Sequence, residues 1–201
     1  MDMEKLRELR EECLACRKCS IGGELFNVAQ DGKPRLANVF SNMVENAKVM
    51  AVGQNPGSDE VQQGVPFVGR AGKVFDAALL EIVGIERKDI YVGNCCRCYT
   101  PGNRKPTETE LDSCRSFLSR EIELVAPKLI IALGGIAFKQ LTGMNGIMKH
   151  HGEVLVSIKY HVSVICVLHP SPLNTNNPER NEAFRSDLRK VKEFLDGRRP
   201  Y

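Results

Sequence analysis

Four short apolar runs punctuate the chain, and each stops at a glycine or a polar residue. They are 48-KVMAVG-53, 89-DIYVGN-94, 128-KLIIALG-134 and 162-VSVICVLH-169. Runs of strand length that stay apolar at successive positions suit strands covered on both faces, as in a parallel sheet. The segments between them carry helical signals instead. Residues 3–15 place Leu6, Leu9 and Cys13 on one face, and 70–83 stop before Gly84. Residues 107–125 open at a capping signature, Thr107 with Glu110, and stop before Pro127. A short helix is predicted over 135–142 and a last one over 178–196, opening with Pro178. Alternation in 153-EVLVSIKY-160 predicts a hairpin over 146–160, and the polar segment 20–46 reads as loop.

Strands alternating with helices imply an α/β fold, a three-layer α/β/α sandwich around a central four-stranded parallel sheet, in one domain over 1–201. Ligands of open parallel sheets bind at the carboxyl edge of the strands. The pattern therefore collects Gln54, Asn55, Asn94 and His169 on one rim. The turn after the first strand, Gly53-Gln54-Asn55-Pro56-Gly57, has backbone reasons for its glycines and proline. Gln54 and Asn55 need a further reason.

Composition narrows the classes. Of 201 residues, 42% are hydrophobic and 26% charged, as in an ordinary globular chain. No apolar run reaches the ~18 residues that span a bilayer, so no membrane association is expected. The charged start, MDMEKLRELREEC, is not a secretory signal, and a cytoplasmic location is expected. A net charge of +3 is too small to announce a nucleic-acid binder by itself. Nothing signals oligomerisation, and a monomer is expected. The eight cysteines are the unusual feature. In a reducing compartment, clustered thiols read as metal binding or catalysis and not as disulfides.

The ordered motifs resemble the uracil-DNA glycosylase superfamily, most of all its iron–sulfur branch, family four. That branch has G-E-x-P-G then G-x-P-F-V-G-x-A-G, matched by Gly53–Gly57 and by Gly64-Val-Pro-Phe67-Val-Gly-Arg-Ala-Gly72. Its N-x-x-K-C-R-P-P-x-N-R-x-P is followed by Asn94-Cys-Cys-Arg-Cys98-Tyr-Thr-Pro-Gly-Asn103-Arg104-Lys-Pro106. Its A-P-x-x-I-x-x-L-G is matched by residues 126–134, and its closing H-P-S by His169-Pro-Ser171. Two departures stand out. Gln54-Asn55 and His169-Pro-Ser-Pro-Leu173 resemble the first and second families more than the fourth.

The resemblance implies flipping of a deoxyuridine from single- or double-stranded DNA and hydrolysis of its N-glycosidic bond. Asn55 is expected to hold the attacking water and His169, neutral or cationic, to donate to the leaving uracil. Gln54 would offer its backbone N–H or its amide to uracil O2. Asn94 would read uracil through its paired acceptor and donor, Phe67 would stack on the base, and Leu173 would fill the vacated stack. Gly53 shapes the turn, while Gly134, Ser171, Arg104 and Lys105 are expected on phosphates. Cys98 and Cys114 match the third and fourth ligands of a [4Fe–4S] cluster. Cys16 and Cys19 are preferred over Cys13 and Cys16 for the first two, because Ile21 stands where the branch has an apolar residue. Zinc is the lesser alternative, since four thiolates suit either. The cluster would tie the N-terminal helix to the body, and Cys95, Cys96 and Cys166 read as packing residues. Two other readings stay open: excision of hypoxanthine or xanthine, and a non-catalytic cluster-bearing DNA-binding module.

Overall fold

A computed structural model describes residues 2–23, 25–26 and 35–198. Part of the segment read as loop over 20–46 therefore lies outside the described residues. The N-terminal helix α1 (Met3–Leu14) is capped by Asp2, whose carboxylate accepts the Lys5 N–H. A two-stranded ribbon follows, β1 (Leu25–Phe26) against β2 (Arg35–Leu36).

The central sheet contains β3 (Val49–Gly53), β4 (Ile90–Asn94), β5 (Leu129–Leu133), β6 (Val154–Ser157) and β7 (Val162–Val167), in the order β4-β3-β5-β7-β6. The four predicted strands are parallel neighbours, and β6 adds a fifth, antiparallel edge strand beside β7. This corrects the four-stranded sheet. It also moves the hairpin from 146–160 to β6–β7. Alternation marked only the half-covered arm, β6. The other arm, β7, is enclosed between β5 and β6 and so carries the continuous apolar run of a core strand.

Period-two geometry divides the sheet side chains between two cores. Met50, Val52, Tyr91, Ile130, Ala132, Val164 and Cys166 pack toward α1, α4 (Glu108–Val125) and α5 (Gly135–Thr142). Val49, Ala51, Val92, Ile131, Ile165 and Val167 face α3 (Arg70–Ala78), which follows the short helix α2 (Ser58–Gln63), and α8 (Pro178–Leu195). Helix α4 starts at the expected capping box: Thr107 Oγ1 accepts the Glu110 N–H at 3.3 Å, and the Glu110 carboxylate accepts the Thr107 N–H at 2.7 Å. The segment predicted as helix to 83 leaves α-geometry after Ala78 for a π-turn, Leu79–Val83, and stops at Gly84 with φ +82°.

Register sets the rim. Gly53 lies opposite Asn94, Val52 opposite Ala132, and Leu133 opposite Val167, so four strands end level with one another. The chain leaves β3 toward β4 and then crosses back to β5, which makes β3–β5 the switch point where such sheets open a crevice.

Candidate active site

A cleft of about 730 Å³ opens at that rim. Gln54, Asn55, Phe67, Asn94, Gly134, His169, Ser171 and Leu173 all line it. Sequence-distant loops thus reach one cavity because strand ends in register bring them there. Lys105 also lines it, whereas Arg104 does not. The Arg104 guanidinium forks onto Glu110 at 2.9 and 2.6 Å and holds that carboxyl low, at about 2.

Gly53 lies beneath the cleft. A Cβ at this position would stand 2.4 Å from Phe67 Cζ and 2.7 Å from Asn94 Oδ1. The missing side chain is therefore what lets the ring and the amide approach each other. Asn94 is 2% exposed, and its Oδ1 has no hydrogen-bond partner. Nearly all buried acceptors are paired, so an orphan on a residue that lines the cleft marks a place for a donor.

Phe67 adopts φ +56°, the left-handed region that a bulky residue rarely enters. Its carbonyl accepts from Arg87 Nη2 at 2.7 Å, and Asp76 holds Arg87 in turn at 2.8 Å. Gly72 permits the fold here, since a Cβ would meet the Phe67 carbonyl oxygen at 1.9 Å. Backbone strain of about 1–3 kcal/mol persists only where surroundings enforce it. The Phe67 and His169 rings stand 6.5 Å apart, tilted by 43°.

Burial alone pushes the His169 imidazole from 6.5 down to about 4, so the ring is neutral at pH 7 and offers one N–H without being an acid. Because the folded value lies below the unfolded one, this group's contribution to stability is complete above about 6.5. It falls as pH drops toward about 4, where the unfolded chain takes the proton first. Gly134 sits against this wall with φ +90°, and a Cβ there would lie 3.3 Å from His169 Cβ.

The Asn55 amide is held at both ends. Its Nδ2 donates to the Pro56 carbonyl at 3.0 Å and to Asn103 Oδ1 at 3.2 Å, while its Oδ1 accepts from Gln54 Nε2 at 2.7 Å. One lone pair on Oδ1 is left for a water. The Gln54 side chain is thus engaged with its neighbour and does not stand clear toward a base. Sequence reading placed Asn103 in a motif without a role and did not single out Glu60. The Glu60 carboxylate ties the two glycine turns together, accepting from Gly57 N at 3.0 Å and Gly69 N at 2.8 Å. The role of Asn103 was not legible locally, because its partner Asn55 lies 48 positions away and is brought in by the fold. Ser171 opens the short helix α7 (Pro172–Thr175), from which Leu173 projects 76% exposed beside the cleft.

The cysteines gather behind this face. Cys98 and Cys114 are buried, while Cys16 and Cys19 are half-buried. Burial raises the Cys98 thiol, and Cys114, Cys19, Cys13 and Cys16 lie near enough to raise it further. Cys114 Sγ lies beside the Cys96 thiol and accepts the Arg97 N–H at 3.4 Å, which favours a thiolate there, while the Cys96 thiol itself donates to the Cys98 carbonyl at 3.6 Å. Cys13 is buried with Phe40 and Phe117, and Cys16 packs against the same cluster. Arg97 is itself buried in an ion pair with Glu121, which also accepts from Ser41 at 2.5 Å and Tyr91 at 3.0 Å. That network fixes the loop bearing Cys98. Among the described residues, no three metal-ligating side chains close on a single-ion position. The donor set, sulfurs only and with one already receiving an N–H, is chemically suited to an iron–sulfur cluster as it is to zinc.

The sequence model of the Uracil DNA glycosylase superfamily matches residues 40–192. The chain is 32% identical over 201 residues to the type-4 uracil-DNA glycosylase of Sulfurisphaera tokodaii, covering 96% of this chain and 86% of that one. It is 31% identical over 205 residues to the type-4 enzyme of Archaeoglobus fulgidus, covering 98% and 97%. With the type-4 enzyme of Pyrobaculum aerophilum it shares 35% over 203 residues, covering 94% and 92%.

Proposed function

The chain belongs to the uracil DNA glycosylase superfamily, and from that premise we propose that it removes uracil from DNA by hydrolysing the N-glycosidic bond. Water supplies the hydroxyl at C1′ and the proton taken up by uracil, and an abasic site remains. The substrate is uracil-containing DNA, single- or double-stranded, and the enzyme acts as a monomer.

The observation that carries this reading is the orphaned Asn94 Oδ1 at the floor of the cleft. It suits the N3–H of an extruded uracil, with the amide Nδ2 toward O4. Cytosine presents the reverse pattern at that edge and would leave both groups mismatched. Phe67 supports the base from one side. The neutral His169 donates its N–H to O2 as charge develops on the departing ring, the role of a preorganised donor. Asn55 orients the water through its remaining lone pair. An amide is a feeble base, which suffices where the sugar is already cation-like. Gln54 secures Asn55. Ser171, Gly134 and Lys105 support the phosphates, and Leu173 enters the stack that the base has left. The direct test is release of free uracil from a single-uracil oligonucleotide, with hypoxanthine and xanthine oligonucleotides alongside. Uracil release alone is expected, and excision only of a purine would reject the Asn94 assignment.

Cys16, Cys19, Cys98 and Cys114 would hold a [4Fe–4S] cluster. Bound there, it would supply a covalent tie between the end of α1 and the loop that carries Asn103 toward Asn55. Anaerobically purified protein is expected to be brown, with iron and acid-labile sulfide in equal amounts and no zinc. Cys98→Ser and Cys114→Ser should lose the visible absorption, whereas Cys166→Ser should keep it. Stoichiometric zinc in colourless protein would overturn the cluster.

A further inference from the structure

Among the described residues, His169 has no carboxylate of its own, and no side chain hydrogen-bonds its imidazole, although catalytic histidines are commonly oriented through one ring nitrogen. What is fixed is the backbone. The His169 carbonyl accepts from Asn174 Nδ2 at 2.8 Å, and the N–H just before it, on Leu168, donates to Asp187 Oδ2 at 3.0 Å. Asp187 lies on α8 and is 2% exposed. Its second oxygen accepts from His151 Nδ1 at 2.8 Å. His151 caps α6 (Ile147–His150), whose Ile147 and Met148 line the cleft. The turn that follows is close-packed: Gly152 has φ +78°, donates to the Cys166 carbonyl at 2.7 Å, and would place a Cβ 3.0 Å from Asp187 Oδ1. One carboxylate therefore joins α8, the end of β7 and the turn after α6.

We propose that Asp187 is a positioning residue of the active site, holding His169 at the leaving base through the Leu168 N–H and the α6 wall through His151. The inference rests on the role of His169 proposed above. Desolvation raises the Asp187 pKa from its ordinary value despite the hydrogen bonds from His151 and Leu168, so the charge is kept in the core at a cost. A leucine would fill the same space, which argues that the hydrogen bonds are the reason for the aspartate.

The test is steady-state kinetics on a single-uracil oligonucleotide with Asp187→Ala, Asp187→Leu, Asp187→Asn and Leu188→Ala. Leu188 is the next residue of α8, fully buried in the core, and reports the effect of lost packing alone. Asp187→Ala is expected to lower kcat roughly tenfold to a hundredfold, the size of a misplacement of about 1 Å. KM should stay within about twofold, as expected for an interaction felt in the transition state. Asp187→Leu, which keeps the helix packed, should behave likewise. Asp187→Asn, whose amide oxygen still accepts the Leu168 N–H, should recover most of kcat, and Leu188→Ala should retain it. The ¹⁵N resonances of the His169 imidazole should move in Asp187→Leu and stay in Leu188→Ala. Equal losses in the Asp187 and Leu188 variants, or no recovery with asparagine, overturn the proposal. His169→Ala separates the two readings. If it releases uracil at the wild-type rate, the His169 assignment fails and takes Asp187 with it. If it is slow while Asp187→Leu is not, the Asp187 inference alone fails.

Discussion

Asn94→Ala is expected to slow uracil release about a hundredfold to a thousandfold, the range for deleting one preorganised polar group at a developing anion. Stability should move the other way or not at all. The Asn94 Oδ1 is buried and unpaired in the free protein, and an unsatisfied buried acceptor costs about 1–3 kcal/mol. Removing it relieves that cost while losing a little packing. The melting temperature of Asn94→Ala should therefore equal or exceed that of the wild type. A structural asparagine gives the opposite pair of results: a lower melting temperature with kcat near wild type. Thermal unfolding and single-turnover kinetics on one preparation distinguish the two.

Gly53→Ala carries the second large effect. The added Cβ would fall 2.4 Å from Phe67 Cζ and 2.7 Å from Asn94 Oδ1, closer than real contacts allow. Neither neighbour yields easily. The Phe67 backbone is pinned by Arg87 and Asp76 and its buried ring packs on Phe75 at 6.2 Å, while the Asn94 backbone is fixed by its register opposite Gly53. One wall of the cleft must shift by a substantial part of an ångström. A displacement of about 1 Å costs about a hundredfold in rate, whereas overpacking costs about 1–3 kcal/mol of stability. The variant should be folded and nearly inactive, read as a small drop in the urea midpoint beside a large drop in kcat. Wild-type kcat in Gly53→Ala would mean that the ring and the amide do not share a substrate.

The fold was legible because its strands are covered on both faces. Four apolar runs and their terminal polar residues located β3, β4, β5 and β7, and register then carried Asn94 and His169 to the rim. The fifth strand was not legible as part of the sheet, because half-covered β6 shows alternation while its partner β7 does not. Residues that act on the base stood at strand ends and in tight turns, where the pattern breaks. Residues that hold them did not. Asn103 lies 48 positions from Asn55, and Asp187 lies 19 from Leu168. No local periodicity encodes such pairs. Arg104 shows the converse: a cation in a promising motif is paired with Glu110, in the first turn of α4.

The common pocket for Asn55, Asn94 and His169 is the central claim. Uracil release from one single-uracil oligonucleotide, under single-turnover conditions at pH 7, tests it most directly with Asn55→Ala, Asn94→Ala and His169→Ala. Each variant is expected to bind the oligonucleotide and release uracil at least about a hundredfold more slowly than wild type. Three variants that all release uracil at the wild-type rate would contradict it.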